Sequence, residues 1–125
     1  MNKKEYEDRL LRLYRLIDQF CHTDPAILRR EYLKDQLLRA SSSALLNYGE
    51  AQVAASVRDY KHKLSIVLKA LSEALLALKL LRDVGMEKVS AESVVSETEA
   101  LLKILYGLLR KLRETANQHY NKALD

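Results

Sequence analysis

Tryptophan is absent from this chain of 125 residues, phenylalanine, proline and cysteine occur once each, and glycine three times. So little proline and glycine argues against a turn-rich all-β fold and against low-complexity disorder. A single thiol, Cys21, excludes an intrachain disulfide and suits a reducing compartment. Long apolar runs are missing too. The longest greasy stretch, residues 70–81, is broken by Glu73 and Lys79 and is too short to span a bilayer. The opening MNKKEYEDRLL is charged and has no apolar h-region, so no signal peptide is expected. These gaps together predict a cytoplasmic bacterial protein without a membrane partner.

Chemical motifs are scarce as well. Di-iron bundles place Glu-x-x-His on facing helices, and no Glu here has a His three residues later. His22, His62 and His119 fall on three different segments. There is neither a phosphate-cradling Gly-rich loop nor a Gly-x-Ser-x-Gly elbow. The run Ser41-Ser42-Ser43 has no His near it in sequence to act as base. No catalytic residue, metal or cofactor is therefore expected, and the chain reads as a non-enzyme.

What is present is helix-forming: Leu, Ala, Lys, Arg and Glu dominate, with 48% hydrophobic and 30% charged residues. Punctuation predicts four helices, over about 3–21, 25–48, 56–84 and 90–121. Asn2, with Glu5 three residues on, starts the first. Asp24-Pro25 starts the second, and Gly49 is its expected left-handed terminator. Ser56 with Asp59 starts the third, which ends at Gly85. Ser90 is the expected cap of the fourth, with Glu92 near the positive end of its dipole. Apolar residues recur in steps of three and four, from Val57 and Tyr60 through Leu64 to Leu81 in the third helix and from Val94 to Leu112 in the fourth. No strand signal appears, so the expected fold is one all-α domain, an antiparallel up-down-up-down four-helix bundle. Gly107 lies inside the fourth helix at a cost of roughly 1 kcal/mol relative to Ala. Close approach by another helix is favoured over simple tolerance.

Three groups of residues stand out. Gln36, Ser43, Asn47 and Glu50 form a polar stripe beside the apolar stripe of the second helix. With nothing catalytic to serve, they read as an internal hydrogen-bond seam, with Glu50 tying down the turn into the third helix. A ligand near Asn47 and Glu50 is the competing assignment. On the third helix, Ile66, Ala70, Leu76, Ala77 and Leu80 lie away from its heptad seam. That second apolar face predicts self-association, unless a bundle helix shifts to cover it. Glu73 sits within the same face, either as a buried carboxylate that sets register or with its side chain bent to solvent. The third group is cationic. Arg58, Lys61 and Lys69 share one flank, with His62 beside them, and residues 51–85 carry six Lys or Arg against three Asp or Glu. The net charge of +4 is concentrated there. The stripe fits a phosphate backbone, or is an ordinary solvated face.

Gln36-Leu37-Leu38-Arg39-Ala40, with Ser43, Asn47 and Glu50, resembles the Q-L-x-R-A-x-x-S-x-x-x-N-x-x-E-G signature of the bacterial four-helix bundle family encoded in 23S rRNA intervening sequences. The stretch from Leu64 through Leu71 and Glu73 is similar to its second block, L-x-I-A-x-G-S-L-x-E. Leu105 to Leu109 is similar to its closing L-x-G-L-I. The departures are Ala51 for Gly and Lys69-Ala70 for Gly-Ser. The resemblance implies a four-helix protomer in a ring-like homopentamer. It also implies kinship with the accessory variability determinant of diversity-generating retroelements, a basic pentamer that assists a reverse transcriptase and binds nucleic acid. The expected function is thus a homo-oligomeric, nucleic-acid-binding or polymerase-accessory protein acting through Arg58, Lys61, His62 and Lys69. A protein-interaction scaffold is the alternative.

Overall fold

Asn2 Oδ1 accepts the Glu5 N–H at 2.8 Å, and the helix this starts, α1, runs Lys3–Thr23. In the computed structural model the backbone is described for residues 1–124 and the side chains for residues 1–116. Four further helices follow: α2 (Pro25–Leu28), α3 (Glu31–Gln52), α4 (Val57–Asp83) and α5 (Lys88–Leu124). No strand occurs among the described residues. The four long helices form the up-down-up-down bundle. Helix α3 packs most extensively on α4, α4 on α5, and α1 lies between α3 and α5.

The core follows the apolar spacing. Leu10, Leu13 and Ile17 of α1 meet Leu37 and Ala44 of α3, Leu64, Leu71 and Leu78 of α4, and Val94, Leu101 and Leu105 of α5. Among buried polar groups, Ser41 donates to the Leu37 carbonyl and Thr98 to that of Val94, so each hydroxyl is satisfied within its own helix. Cys21 is fully buried, and desolvation pushes its thiol up to about 11, which keeps it protonated and unreactive.

Three boundaries differ from the sequence expectation. The helix expected over 25–48 is broken. Its first turn stands apart as α2, and the chain restarts at Glu31 after Arg30 leaves helical geometry at φ −123° and ψ 70°. Ile27 and Leu37 are both fully buried. On one straight helix, residues ten apart point roughly 80° away from each other, and the break lets both reach the core.

Gly49 does not terminate α3, which runs on to Gln52. Tyr48 and Ala51 are both buried, so packing carries the helix past the glycine. The left-handed glycine is Gly85, at φ 111°. Beyond α4 the Met86 N–H reaches the Leu81 carbonyl at 2.9 Å and Met86 itself is buried, which closes the helix end with an apolar plug. Ser90 does not cap α5. Glu87 takes that place, accepting the Val89 N–H at 3.1 Å and the Ser90 N–H at 2.6 Å. The Ser90 side chain first, and then these backbone bonds, hold the Glu87 carboxyl below its ordinary value. The expected close approach at Gly107 is also missing: a Cβ there would meet nothing within 4 Å.

Candidate functional site

Helix α4 carries most of the candidate residues, and its core face points them outward. Leu64, Val67, Leu71, Ala74 and Leu78 are buried, so the opposite side must face away from the bundle. In its N-terminal half that side presents Arg58, His62 and Lys69, all exposed, with Lys61 half-buried beside them. None of these cations has a carboxylate within 4.0 Å among the described residues. The other cations of α4 are partly tied up. Lys63 pairs with Glu50 at 2.9 Å, and Arg82 lies 3.8 Å from Asp83 and 4.0 Å from Glu92. The Glu50 bond raises the Lys63 ammonium above its ordinary value.

Beside the cations, α3 and α4 enclose a groove of about 550 Å³ on the outer side of the bundle. Gln36, Arg39 and Ser43 line it from α3, and Lys69, Glu73 and Leu80 from α4. Ile66, Ala70, Leu76 and Ala77 line it too, so residues that the sequence divides between a polar seam and an apolar face share one surface. Ala70 and Ala77 are buried at 5% and 7% exposure, whereas Leu76 and Leu80 stand 64% and 52% exposed. Helix α3 thus covers part of the second apolar face and leaves its two leucines open.

The polar seam does not run between helices. The Asn47 amide donates to the Ser43 carbonyl at 2.9 Å and to the Ser43 hydroxyl at 3.2 Å, and Gln36 Oε1 accepts from Arg39 at 2.6 Å. All these bonds stay within α3, because side chains three and four apart on one helix already reach each other. Only Glu50 crosses, to Lys63 on α4. Asn47 and Glu50 lie outside the groove lining. Glu73 is exposed rather than buried, so its carboxylate keeps its water and sets no register.

A second cavity, unforeseen from the sequence, opens at the end of the bundle where α1 begins. It encloses about 620 Å³ among Lys3, Tyr6, Tyr48, Tyr60, Gly107 and Lys111. The Tyr6 and Tyr48 rings pack with centroids 4.8 Å apart. The Tyr6 hydroxyl donates to the Leu101 carbonyl at 2.8 Å, and the Tyr48 hydroxyl to that of Lys3 at 3.4 Å. Burial pushes the Tyr48 phenol up to about 12 and raises Tyr6 further. The sequence signal was the predominance of tyrosine among the aromatics, but nothing local says that residues 6, 48 and 60 converge.

No three His, Cys, Asp or Glu side chains cluster among the described residues. His119 lies outside the described side chains. No described helix is long and apolar enough to cross a membrane.

A family model described as 23S rRNA-intervening sequence protein matches residues 6–107. No curated protein matches the chain. Among solved structures, a protein of unknown function from the S23 ribosomal protein family of Bacteroides thetaiotaomicron is similar at TM-score 0.71 and 24% identity. That likeness covers 83% of this chain and 97% of the other, and it carries the fold.

Proposed function

The chain belongs to the 23S rRNA-intervening sequence protein family, and from that premise we propose that it is a non-enzymatic, self-assembling protein that binds RNA or DNA through α4. One observation carries the reading. Arg58, Lys61 and Lys69 have no carboxylate partner among the described residues, while Lys63 on the same helix is tied to Glu50. Cations left free on one flank suit an extended polyanion better than a folded-state role. No base-specific contact is assigned to these residues. The partner that accompanies this reading is a reverse transcriptase or other protein, by the family resemblance.

Self-assembly rests on the groove between α3 and α4, where Leu76 and Leu80 remain exposed. A homopentamer is the arrangement the family resemblance favours. A protein-interaction scaffold without nucleic acid would use the same groove and ignore the cations.

Binding to RNA or DNA should weaken steeply with salt. Three neutralised phosphates per protomer give a log–log slope of about −2 to −3. A filter-binding titration across salt concentrations measures it. Absence of any salt-sensitive affinity would leave the scaffold as the surviving reading. Lys61→Glu combined with Lys69→Glu separates the two further, since the scaffold keeps its partners in that variant.

A further inference from the structure

The cavity at the N-terminal end of α1 has a chemistry of its own. Its aromatic lining comes from three helices, with Tyr6 on α1, Tyr48 on α3 and Tyr60 on α4. Tyr6 and Tyr48 are buried and engage each other, whereas Tyr60 is only half-buried, so its ring is the aromatic surface open to an occupant. The lysines Lys3 and Lys111 border the space, and among the described residues no carboxylate lines it. Lys3 Nζ lies over the Tyr60 ring, 5.3 Å from its centroid, so one of these charges already sits at the aromatic surface, and this exposed side chain must swing aside for a ring to stack there. Lys111 supplies the other.

Gly107 adds an independent argument. A glycine inside a helix costs roughly 1 kcal/mol against alanine. Nothing among the described residues explains it: the site for a Cβ is open, and φ is not positive there. The open space at residue 107 is the cavity itself. A side chain at this position would project into the volume that the tyrosines and lysines surround. The glycine therefore reads as keeping that volume free for an occupant lying close to the α5 backbone.

An aromatic wall, two cations, no acid and about 620 Å³ describe a site for a flat ring bearing negative charge. We propose that this cavity receives one unstacked nucleotide of a single-stranded nucleic acid, with its base against Tyr60 and Gly107 and its phosphate at Lys3 and Lys111. Tyr60 shares α4 with Arg58 and Lys61, which do not line the pocket themselves, so the same helix carries both the aromatic surface and the free cations. Base stacking on aromatic side chains beside a cationic track is how single strands are held without sequence preference. The pocket rests on the nucleic-acid reading above and adds to it a preference for single strands.

The test compares the full chain with Tyr60→Leu and Gly107→Leu. Leucine retains the apolar packing of Tyr60, and at residue 107 it favours the helix while filling the cavity. Fluorescence anisotropy is read with an end-labelled single-stranded RNA of about a dozen nucleotides and with the matching duplex. The expected result is tighter binding of the single strand, and a loss of about fivefold or more for that strand in both variants. Duplex affinity should not move, because its bases are already paired and stacked. Unchanged single-strand affinity in both variants, with affinity lost in Lys61→Glu plus Lys69→Glu, overturns the pocket and leaves the α4 reading standing. No affinity of the unmodified chain for either RNA overturns both. Displacement of the strand by AMP at a concentration equal to the strand's would make the cavity a free-nucleotide site and overturn the single-strand proposal.

Discussion

Asp24 Oδ2 accepts the backbone N–H of Glu87 at 2.9 Å, across 63 residues of sequence. The other oxygen, Oδ1, accepts the Ala26 N–H at 2.9 Å and so caps α2. Glu87 in turn caps α5. One nearly buried carboxylate thus joins the α1–α2 junction to the α4–α5 loop and satisfies a backbone donor in each.

Replacing that carboxylate separates its two roles. Asp24→Ala removes the cap and leaves the Glu87 N–H without its acceptor, at an expected cost of about 2–3 kcal/mol. Asp24→Asn keeps a good capping oxygen and gives up the charged acceptor, and about half that loss is expected. Urea unfolding of the three proteins measures both. Equal losses in the two variants would mean that the charge facing Glu87, not the cap on α2, carries the effect.

Two of the three glycines predict opposite signs. Gly49 sits inside α3 with open space at its Cβ position, so Gly49→Ala should stabilise by about 0.5–1 kcal/mol. Gly85 holds φ 111° at the end of α4. There Gly85→Ala places a Cβ in a conformation it rarely adopts and should destabilise by about 1 kcal/mol or more. Thermal unfolding followed by circular dichroism reads both shifts.

Alkaline pH should unfold the bundle from its tyrosine end. The Tyr48 phenol sits near 12 in the folded chain against about 10 unfolded, and Tyr6 is raised further in the same direction. A raised folded value means that the neutral phenol is the form the fold prefers. The stability this burial contributes is intact below pH 10 and is lost as pH climbs towards 12. Absorbance at the phenolate band should include a late phase that carries Tyr6 and Tyr48. The late phase should coincide with loss of helical circular dichroism. A single early phase for all the tyrosines would show that these two phenols are not buried as described.

How much of this was written in the sequence depends on the range over which each signal acts. The heptad steps mark core positions because helix periodicity is local: the seam residues from Leu64 to Leu81 and from Val94 to Leu105 are buried, whereas Val57 at the start of α4 is exposed and Tyr60, Leu108 and Leu112 are half-buried. The cap at Ser56 and the stop at Gly85 are equally local, and both stand. Gly49 misleads because burial of Tyr48 and Ala51 overrides a weak backbone preference. Ser90 misleads because a longer side chain, Glu87, reaches the same donors from further back. The stripe of Gln36, Ser43 and Asn47 shows which residues are polar but not whether their partners lie on another helix or on their own. The tyrosine cavity escaped notice since its walls come from residues 6, 48, 60 and 107, which only the packed bundle brings together.

The groove between α3 and α4 yields the prediction that bears most on assembly. Leu76 and Leu80 are exposed at its edge, while Ala70 and Ala77 are already covered by α3. A charge at the two leucines should therefore disturb contacts between protomers and leave the folded protomer intact. Leu76→Glu combined with Leu80→Glu is expected to reduce the particle mass to that of one chain, 14.4 kDa, in light scattering. Helical circular dichroism and the unfolding midpoint in dilute solution should change little, since exposed substitutions usually stay within about 0.5 kcal/mol. The contrasting variant Ala77→Glu puts a carboxylate between α3 and α4 and should unfold the protomer itself. If the unmodified chain already scatters as a monomer, the groove is not a contact between copies, and its two leucines are left to a different protein partner.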